Sequence, residues 1–253
     1  MADHDFSGRS ALVTGAASGI GLATAQWLDA RGIARIIAVD MDRDGLAAMA
    51  LDCEVQAVAA DVSEEKVWND LDLGAIDHAL INAGIASGCP IVDQQFADWQ
   101  RMFGINLDGS FLALRATLRA MKANDCGKSI VLTSSVAGVK PVPMTAAYGS
   151  SKAAIAHLAR IAAAEHAADG IRINAVAPGR VDTPIWTKTE QFRELERQLG
   201  SREAALVRLA EEASPLGRVA TAHELAGQIG FLLSDDAWNV TGTVLVSDGG
   251  YSL

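Results

Sequence analysis

Hydrophobic positions along this chain fall into two kinds of run, and the two kinds alternate. Short, β-branched stretches of buried-strand length occur at Ser10–Thr14, Arg35–Asp40, Val55–Ala59, Ile76–Ile81, Ser129–Thr133, Ile171–Ala177 and Thr243–Val246. Between them lie longer, Ala-rich segments with helical period. One follows a glycine turn and runs to about Arg31; others cover about Phe96–Ala123, Thr145–Ala168 and His223–Leu233. Alternation of this kind requires parallel strands joined by crossover helices. The pattern therefore predicts an α/β fold, a doubly wound parallel seven-stranded sheet with helices on both faces.

One segment breaks the rhythm. Residues 183–215 hold no strand pattern but carry Phe192, Leu195, Leu199, Leu206, Leu209 and Ala213 at helical spacing. Two amphipathic helices are expected there, lying over the body as a lid. No linker, repeat or low-complexity run divides the chain, so residues 1–253 are expected to form one domain.

Composition narrows the function. Half of the residues are hydrophobic and 21% are charged, as in a folded globular protein. The formal net charge of −10 disfavours nucleic acid or an anionic membrane as main partner. Aromatics make up only 5%, too few for base-stacking platforms. No apolar run is long enough to span a membrane. The acidic start, MADHDFSGRS, is unlike a signal or transit peptide. Cys53, Cys89 and Cys126 are too scattered for a disulfide framework, and are expected to be reduced thiols in a cytoplasmic protein. The five histidines never fall at i, i+4 spacing, so no metal site is expected.

Two clusters carry chemistry. Gly15, Gly19 and Gly21 lie between the first strand and its helix, spaced Gly-x-x-x-Gly-x-Gly. Such a turn lets backbone approach a pyrophosphate, which the helix N-terminus favours; a tight turn without ligand has the same glycines. Asp40 ends the second strand, nineteen residues after Gly21. A carboxylate there can accept bonds from a ribose and repel a 2′-phosphate. Neither Met41 nor Asp42 offers a cation, so the pattern predicts NAD rather than NADP. The second cluster is Tyr148-Gly149-Ser150-Ser151-Lys152, where spacing of four puts Tyr148 and Lys152 on one helix face. A phenol titrates near 10; bringing it to about 7 takes roughly 4 kcal/mol, which an adjacent ammonium and an oxidised nicotinamide could supply together. An ordinary helix-face pair is the bland alternative.

With Asn82-Ala83-Gly84 and Pro178-Gly179, these motifs occur in the order and spacing of the short-chain dehydrogenase/reductase family, which the chain resembles over residues 7–250. The resemblance implies a Rossmann-like fold and a catalytic set of Asn106, Ser135, Tyr148 and Lys152. Tyr148 would be the general acid-base, and Lys152 would lower its pKa and bind the nicotinamide ribose. Ser135, thirteen residues before the tyrosine, would hold the substrate oxygen, with Ser134 the lesser choice. Asn106 would hold a water linking the lysine to solvent. Against the cofactor it places Gly15, Ser18, Gly19, Ile20 and Gly21 of the turn; Asp40; Asp61 and Val62 at adenine; and Asn82, Ala83 and Gly84 beside ribose. It adds Tyr148 and Lys152 themselves, Pro178, Gly179, Val181 and, at the carboxamide, Thr183. Read alone, Asn106 is a helix-interior polar residue and Thr183 a turn residue. Ile81 stands where the family often has a second asparagine, and the stretch from Asp61 to Asn82 is short against the family pattern, so an abbreviated third crossover helix is expected.

Val136, Val142, Met144 and Trp186 are expected to frame an apolar substrate pocket, with Cys89 and Arg180 read as loop and surface residues. The expected activity is NAD-dependent interconversion of a secondary alcohol and a ketone, on a small neutral alicyclic or aromatic molecule. Rival readings are a 3-oxoacyl-thioester reductase and a catalytically silent NAD-binding regulator. The helix from Thr145 to Ala168 is apolar most of the way round, which implies burial and, by the resemblance, a homotetramer.

Overall fold

The computed structural model describes residues 4–123, 128–187 and 189–253; Cys126 lies outside them. Seven strands form one parallel sheet: β1 (Ser10–Thr14), β2 (Arg35–Asp40), β3 (Glu54–Ala59), β4 (His78–Ile81), β5 (Lys128–Thr133), β6 (Ile171–Pro178) and, last in the chain, β9 (Val244–Ser247). Their order is β3-β2-β1-β4-β5-β6-β9. The order reverses between β1 and β4, and a crevice opens outside the carboxyl ends of strands at such a point. The near-continuous apolar runs read from the sequence follow from this architecture. Strands β1, β4 and most of β5 and β6 are buried along their length because helices cover both faces.

The helices are α1 (Gly19–Asp29), α2 (Arg43–Ala47), α3 (Glu65–Asp70), α4 (Phe96–Phe103), α5 (Gly109–Ala123), α6 (Ala146–His166), α7 (Pro184–Thr187), α8 (Glu190–Leu199), α9 (Arg202–Ala213) and α10 (Ala222–Leu233). The abbreviated third crossover is α3, six residues long. On one face α1 packs on α10 so closely that a Cβ on Gly230 would fall 2.2 Å from Trp27. On the other, α5 and α6 bury Leu112, Leu114, Ile155, Ala159 and Ala163 against the sheet. The remaining side of α6 is not covered within one chain: Ala153, His157, Ile161 and Ala164 are exposed.

Two features are not legible in the periodicity. The run read as one helix from Phe96 to Ala123 is continuous, but a π-turn at Gly104–Asp108 separates α4 from α5. A two-stranded ribbon, β7 (Val181–Asp182) with β8 (Ala220–Thr221), stitches together the two ends of the strand-poor segment. Inside that segment lie the two expected amphipathic helices, α8 and α9, with Phe192, Ala205 and Ala210 buried. Thr189 and Ser201 cap them, and Gly200 turns the chain between them at φ 78°.

Candidate active site

The glycine turn is built by close approach rather than by flexibility alone. Gly15 and Gly19 adopt φ of 67° and 54°, in the left-handed region. A Cβ on Gly21 would sit 2.0 Å from the Gly15 carbonyl, and one on Gly15 would sit 2.8 Å from Asn82 Nδ2. No side chain is tolerated at either position. Thr14 ties this turn to the end of β4: its hydroxyl accepts from the Asn82 and Ala83 N–H groups at 2.8 and 3.0 Å. Sequence reasoning passes over Thr14, and only its place as the last residue of β1 marks it. Gly19 faces Thr183, whose Cβ would be 3.3 Å from an added Cβ. The N-terminus of α1 begins at Ser18, which makes no side-chain capping bond, and no acidic residue lies in the first turn. Ile20 and Gly21 follow inside that turn. An uncapped helix start in a cradle that glycines keep open suits an anionic pyrophosphate.

Asp40 lies beside this cradle. One carboxylate oxygen accepts from the Ala17 N–H at 3.0 Å and the other from the Asp42 N–H at 3.0 Å. The side chain thus shapes the turn itself and remains half-exposed at the sheet edge. Asp61 accepts from the Ser63 N–H and hydroxyl, while Val62 is buried and meets Gly109 at the start of α5. Gly179 packs against Asp248, where an added Cβ would come 2.7 Å from that residue's Cα. Pro178 ends β6, Val181 is buried in β7, and Thr183 Oγ1 donates to the Val181 carbonyl.

The π-turn positions Asn106. It is fully buried, and its amide pairs with the backbone of Ile85 in both directions: Oδ1 accepts from the N–H at 2.8 Å and Nδ2 donates to the carbonyl at 3.0 Å. Nδ2 also reaches Ser151 Oγ at 3.2 Å, and that hydroxyl donates to the Tyr148 carbonyl at 2.8 Å. The bulge therefore links the loop after β4 to the helix that carries Tyr148 and Lys152.

Ser135 faces Tyr148 closely enough for its hydroxyl to hold the phenol down. Ser135 caps a 3₁₀ turn over Val136–Gly138, accepting from the Ala137 N–H. Ser134 is occupied otherwise: its hydroxyl donates to the Lys152 carbonyl at 2.7 Å. Lys152 Nζ donates to the Thr133 carbonyl at 2.9 Å and lies 5.9 Å from the centre of the Tyr148 ring. Gly84 borders the same space, since a Cβ there would be 3.4 Å from that nitrogen and 3.0 Å from Asn106 Oδ1. Burial pulls the Lys152 ammonium down to about 8. In the protein alone the Tyr148 phenol is not lowered, contrary to the expectation drawn from its neighbour Lys152. Burial raises it, and the Ser135 hydroxyl works in the opposite direction.

Of the expected pocket residues, Val136 is buried, Val142 half-buried and Met144 exposed. Met144 alone among the described non-glycine residues has positive φ, 68°. Its carbonyl accepts from the Cys89 N–H at 2.8 Å, which joins the loop before α6 to the loop after β4. Trp186 belongs to α7, but its side chain lies outside the described residues. Among the described residues no helix is long and apolar enough to cross a membrane, and no group of three His, Cys, Asp or Glu is placed to hold a metal.

Residues 15–252 match the family described as enoyl-(acyl carrier protein) reductase. The cis-4-hydroxycyclohexanecarboxylate dehydrogenase of Sinomonas cyclohexanicum is 38% identical, with 98% of each chain covered. The L-sorbose reductase of Gluconobacter frateurii, solved with NADPH and L-sorbose, superposes at TM-score 0.90 and 30% identity over 98% of each chain. An NAD+-bound xylitol dehydrogenase superposes at 0.85 and 33% identity, covering 97% of this chain and 99% of that one. The motifs, the fold and these full-length likenesses agree: the chain belongs to the short-chain dehydrogenase/reductase family and is an oxidoreductase of alcohols and ketones.

Proposed function

We propose that the chain interconverts a secondary alcohol and a ketone with NAD, on a small alicyclic substrate. The observation that carries this reading is the grouping of Tyr148, Ser135 and the buried Lys152 beyond the carboxyl ends of β4 and β5, next to the point where the strand order reverses. Gly15, Ser18, Gly19, Ile20 and Gly21 would hold the pyrophosphate, Asp40 the adenosine ribose, and Asp61 and Val62 the adenine. Asn82, Ala83 and Gly84 would border the same ribose. Lys152 would hold the nicotinamide ribose, and Pro178, Gly179, Val181 and Thr183 would line the nicotinamide end. When bound, the nicotinamide supplies the hydride acceptor. Everything else falls to the chain. Tyr148 takes the hydroxyl proton as the alcohol is oxidised and returns it in the reverse direction. Ser135 holds the substrate oxygen as charge develops on it. Lys152, charged below its pKa of about 8, favours the phenolate. Asn106 fixes the loop that frames the lysine.

Preference for NAD rests on Asp40, with no cation in the two residues after it. The alicyclic class rests on the apolar Val136, Val142 and Met144 and on the name of the hydroxycyclohexanecarboxylate relative. The residue range 183–215 would act as the lid of a single domain. A homotetramer would cover the bare face of α6 and Phe111 of α5, which is 45% exposed; light scattering at the mass of one chain would remove that part. A cytoplasmic location suits Cys53, whose thiol burial and Asp29 push up to about 12 and so keep unreactive.

The description of the family match gives a thioester reductase some support. A net charge of −10 opposes docking of an acidic carrier protein. One screen separates the readings: secondary alcohols and 3-oxoacyl thioesters, each with NAD(H) and NADP(H). NAD reduction by cyclohexanol-type alcohols supports the proposal. Thioester reduction with NADPH alone would replace it, and tight NAD binding without any turnover would favour a silent regulator.

A further inference from the structure

The last residues of the chain make a tight turn that the mechanism does not use. Asp248 closes it, accepting from the Gly250 N–H at 2.9 Å and the Ser252 N–H at 2.7 Å. Gly249 and Gly250 follow with φ of 64° and 89°. Both are required by their surroundings as well as by conformation. A Cβ on Gly249 would fall 2.3 Å from Ser214 Oγ, and one on Gly250 would fall 3.2 Å from Pro215. The Gly249 carbonyl accepts from the Leu216 N–H at 3.1 Å. The turn thus packs at backbone distance on the chain leaving α9.

Its other contacts reach the catalytic side. Asp248 lies against Gly179, in the segment proposed to face the nicotinamide. Lys140 Nζ donates to the Tyr251 carbonyl at 2.6 Å and sits 4.6 Å from the centre of the Tyr251 ring. Lys140 belongs to the loop that starts at Ser135, and its own N–H donates to the Val136 carbonyl at 2.8 Å. One ammonium therefore fastens the serine loop to the terminal turn, 111 residues later. Through Ser214, Pro215 and Leu216 the same turn holds the exit of the α8–α9 segment.

We propose that Lys140 and Tyr251 form a latch, in which the terminal turn fixes the α8–α9 lid against the catalytic serine loop and so limits the substrate size that the cleft accepts. Both are positioning residues. Their role as a size limit rests on the proposed alcohol oxidation; their hold on the lid does not. A carbonyl–ammonium bond beside an aromatic face ties the lysine to the terminal turn, which a methionine cannot do.

The test compares Lys140→Met, Lys140→Arg and Tyr251→Ala with the natural chain, in two measurements. Hydrogen exchange with NAD present reads the lid directly. Lys140→Met and Tyr251→Ala are expected to exchange several-fold faster over 190–216, with α1 and α10 unchanged, and Lys140→Arg to restore protection. Kinetics with cyclohexanol and 4-tert-butylcyclohexanol then read the size limit. In Lys140→Met the ratio of their kcat/KM values should move at least fivefold, through KM of the larger alcohol, while kcat for cyclohexanol stays within twofold. Unchanged exchange over 190–216 overturns the latch. A change that extends equally to α1 and α10 also overturns it, as general loosening. Altered exchange with an unchanged ratio overturns the size limit. If the natural chain oxidises no alcohol, the proposed function falls, and the exchange comparison still decides the latch.

Discussion

His78 and Lys152 are buried at opposite ends of the central strands, and burial makes each shed its proton more readily than it would in water. His78 begins β4 and is pulled down to about 4, chiefly by burial and then by Arg9. Lys152 faces the far end of β5 and is pulled down to about 8. What differs is the company. His78 Nδ1 donates to Ser129 Oγ at 2.8 Å, because that hydroxyl already donates to the Leu233 carbonyl. Nε2 has no partner among the described residues, and Phe6 packs edge-on at 5.0 Å. This imidazole is sealed in as a neutral ring. Lys152 has one carbonyl acceptor and shares its space with Gly84 and the Tyr148 ring, a second titrating group with its own serine partner. Desolvation alone thus marks structure as readily as function. A shifted group becomes a catalytic candidate when a second, oppositely shifted group stands beside it at a cleft.

The largest effect should follow removal of the lysine. Lys152→Met is expected to lose about 10²–10⁴-fold in kcat, in the range of general acid–base effects, while far-ultraviolet circular dichroism stays native; turnover within tenfold would reduce Lys152 to the structural status of His78. The contrasting prediction concerns stability. The imidazole titrates near 6.5 unfolded and near 4 folded. The folded state therefore favours the neutral ring. That contribution is complete above about pH 6.5 and is lost as pH falls toward 4, to a limit of about 3 kcal/mol. Denaturant titrations of His78→Leu should give a shallower slope over that window, and an identical slope would show the ring to be solvated. Ser135→Ala should cost about 10²-fold or more in kcat/KM. The serine hydroxyl opposes the rise of the Tyr148 phenol, so without it the acid limb of the oxidation profile should move to higher pH; a shift to lower pH would contradict the assignment. The smallest effect concerns Asp40→Ala, which should narrow the preference for NAD over NADP by about tenfold. An unchanged ratio of kcat/KM values for the two cofactors would leave the Asp40 carboxylate with only its backbone bonds to Ala17 and Asp42.

Much of the fold is legible in the residue pattern itself. Alternating β-branched and Ala-rich runs are the direct imprint of strands buried on both faces, so the strand bounds they predict fall within two residues of those observed. Gly15 and Gly21 stand out because close backbone approach leaves only one residue type possible, and Asp40 because it ends the strand beside them. What escapes the pattern are relations that only tertiary packing creates. Periodicity cannot distinguish one added residue in a helix, so the π-turn that aims Asn106 at Ile85 leaves no trace in it. Met144 has no compositional mark of a left-handed backbone. The neutral state of His78 depends on Ser129 and Leu233, far along the chain. Trp186, expected in the pocket, has no described side chain to compare.

The central claim is that Tyr148 moves the proton while the glycine turn and Asp40 hold NAD independently of it. The most direct test is to measure NAD binding and alcohol oxidation side by side in the natural chain and in Tyr148→Phe. The account predicts an NAD Kd within about threefold and turnover at least about 10²-fold lower. Turnover by Tyr148→Phe within tenfold of the natural chain would contradict it.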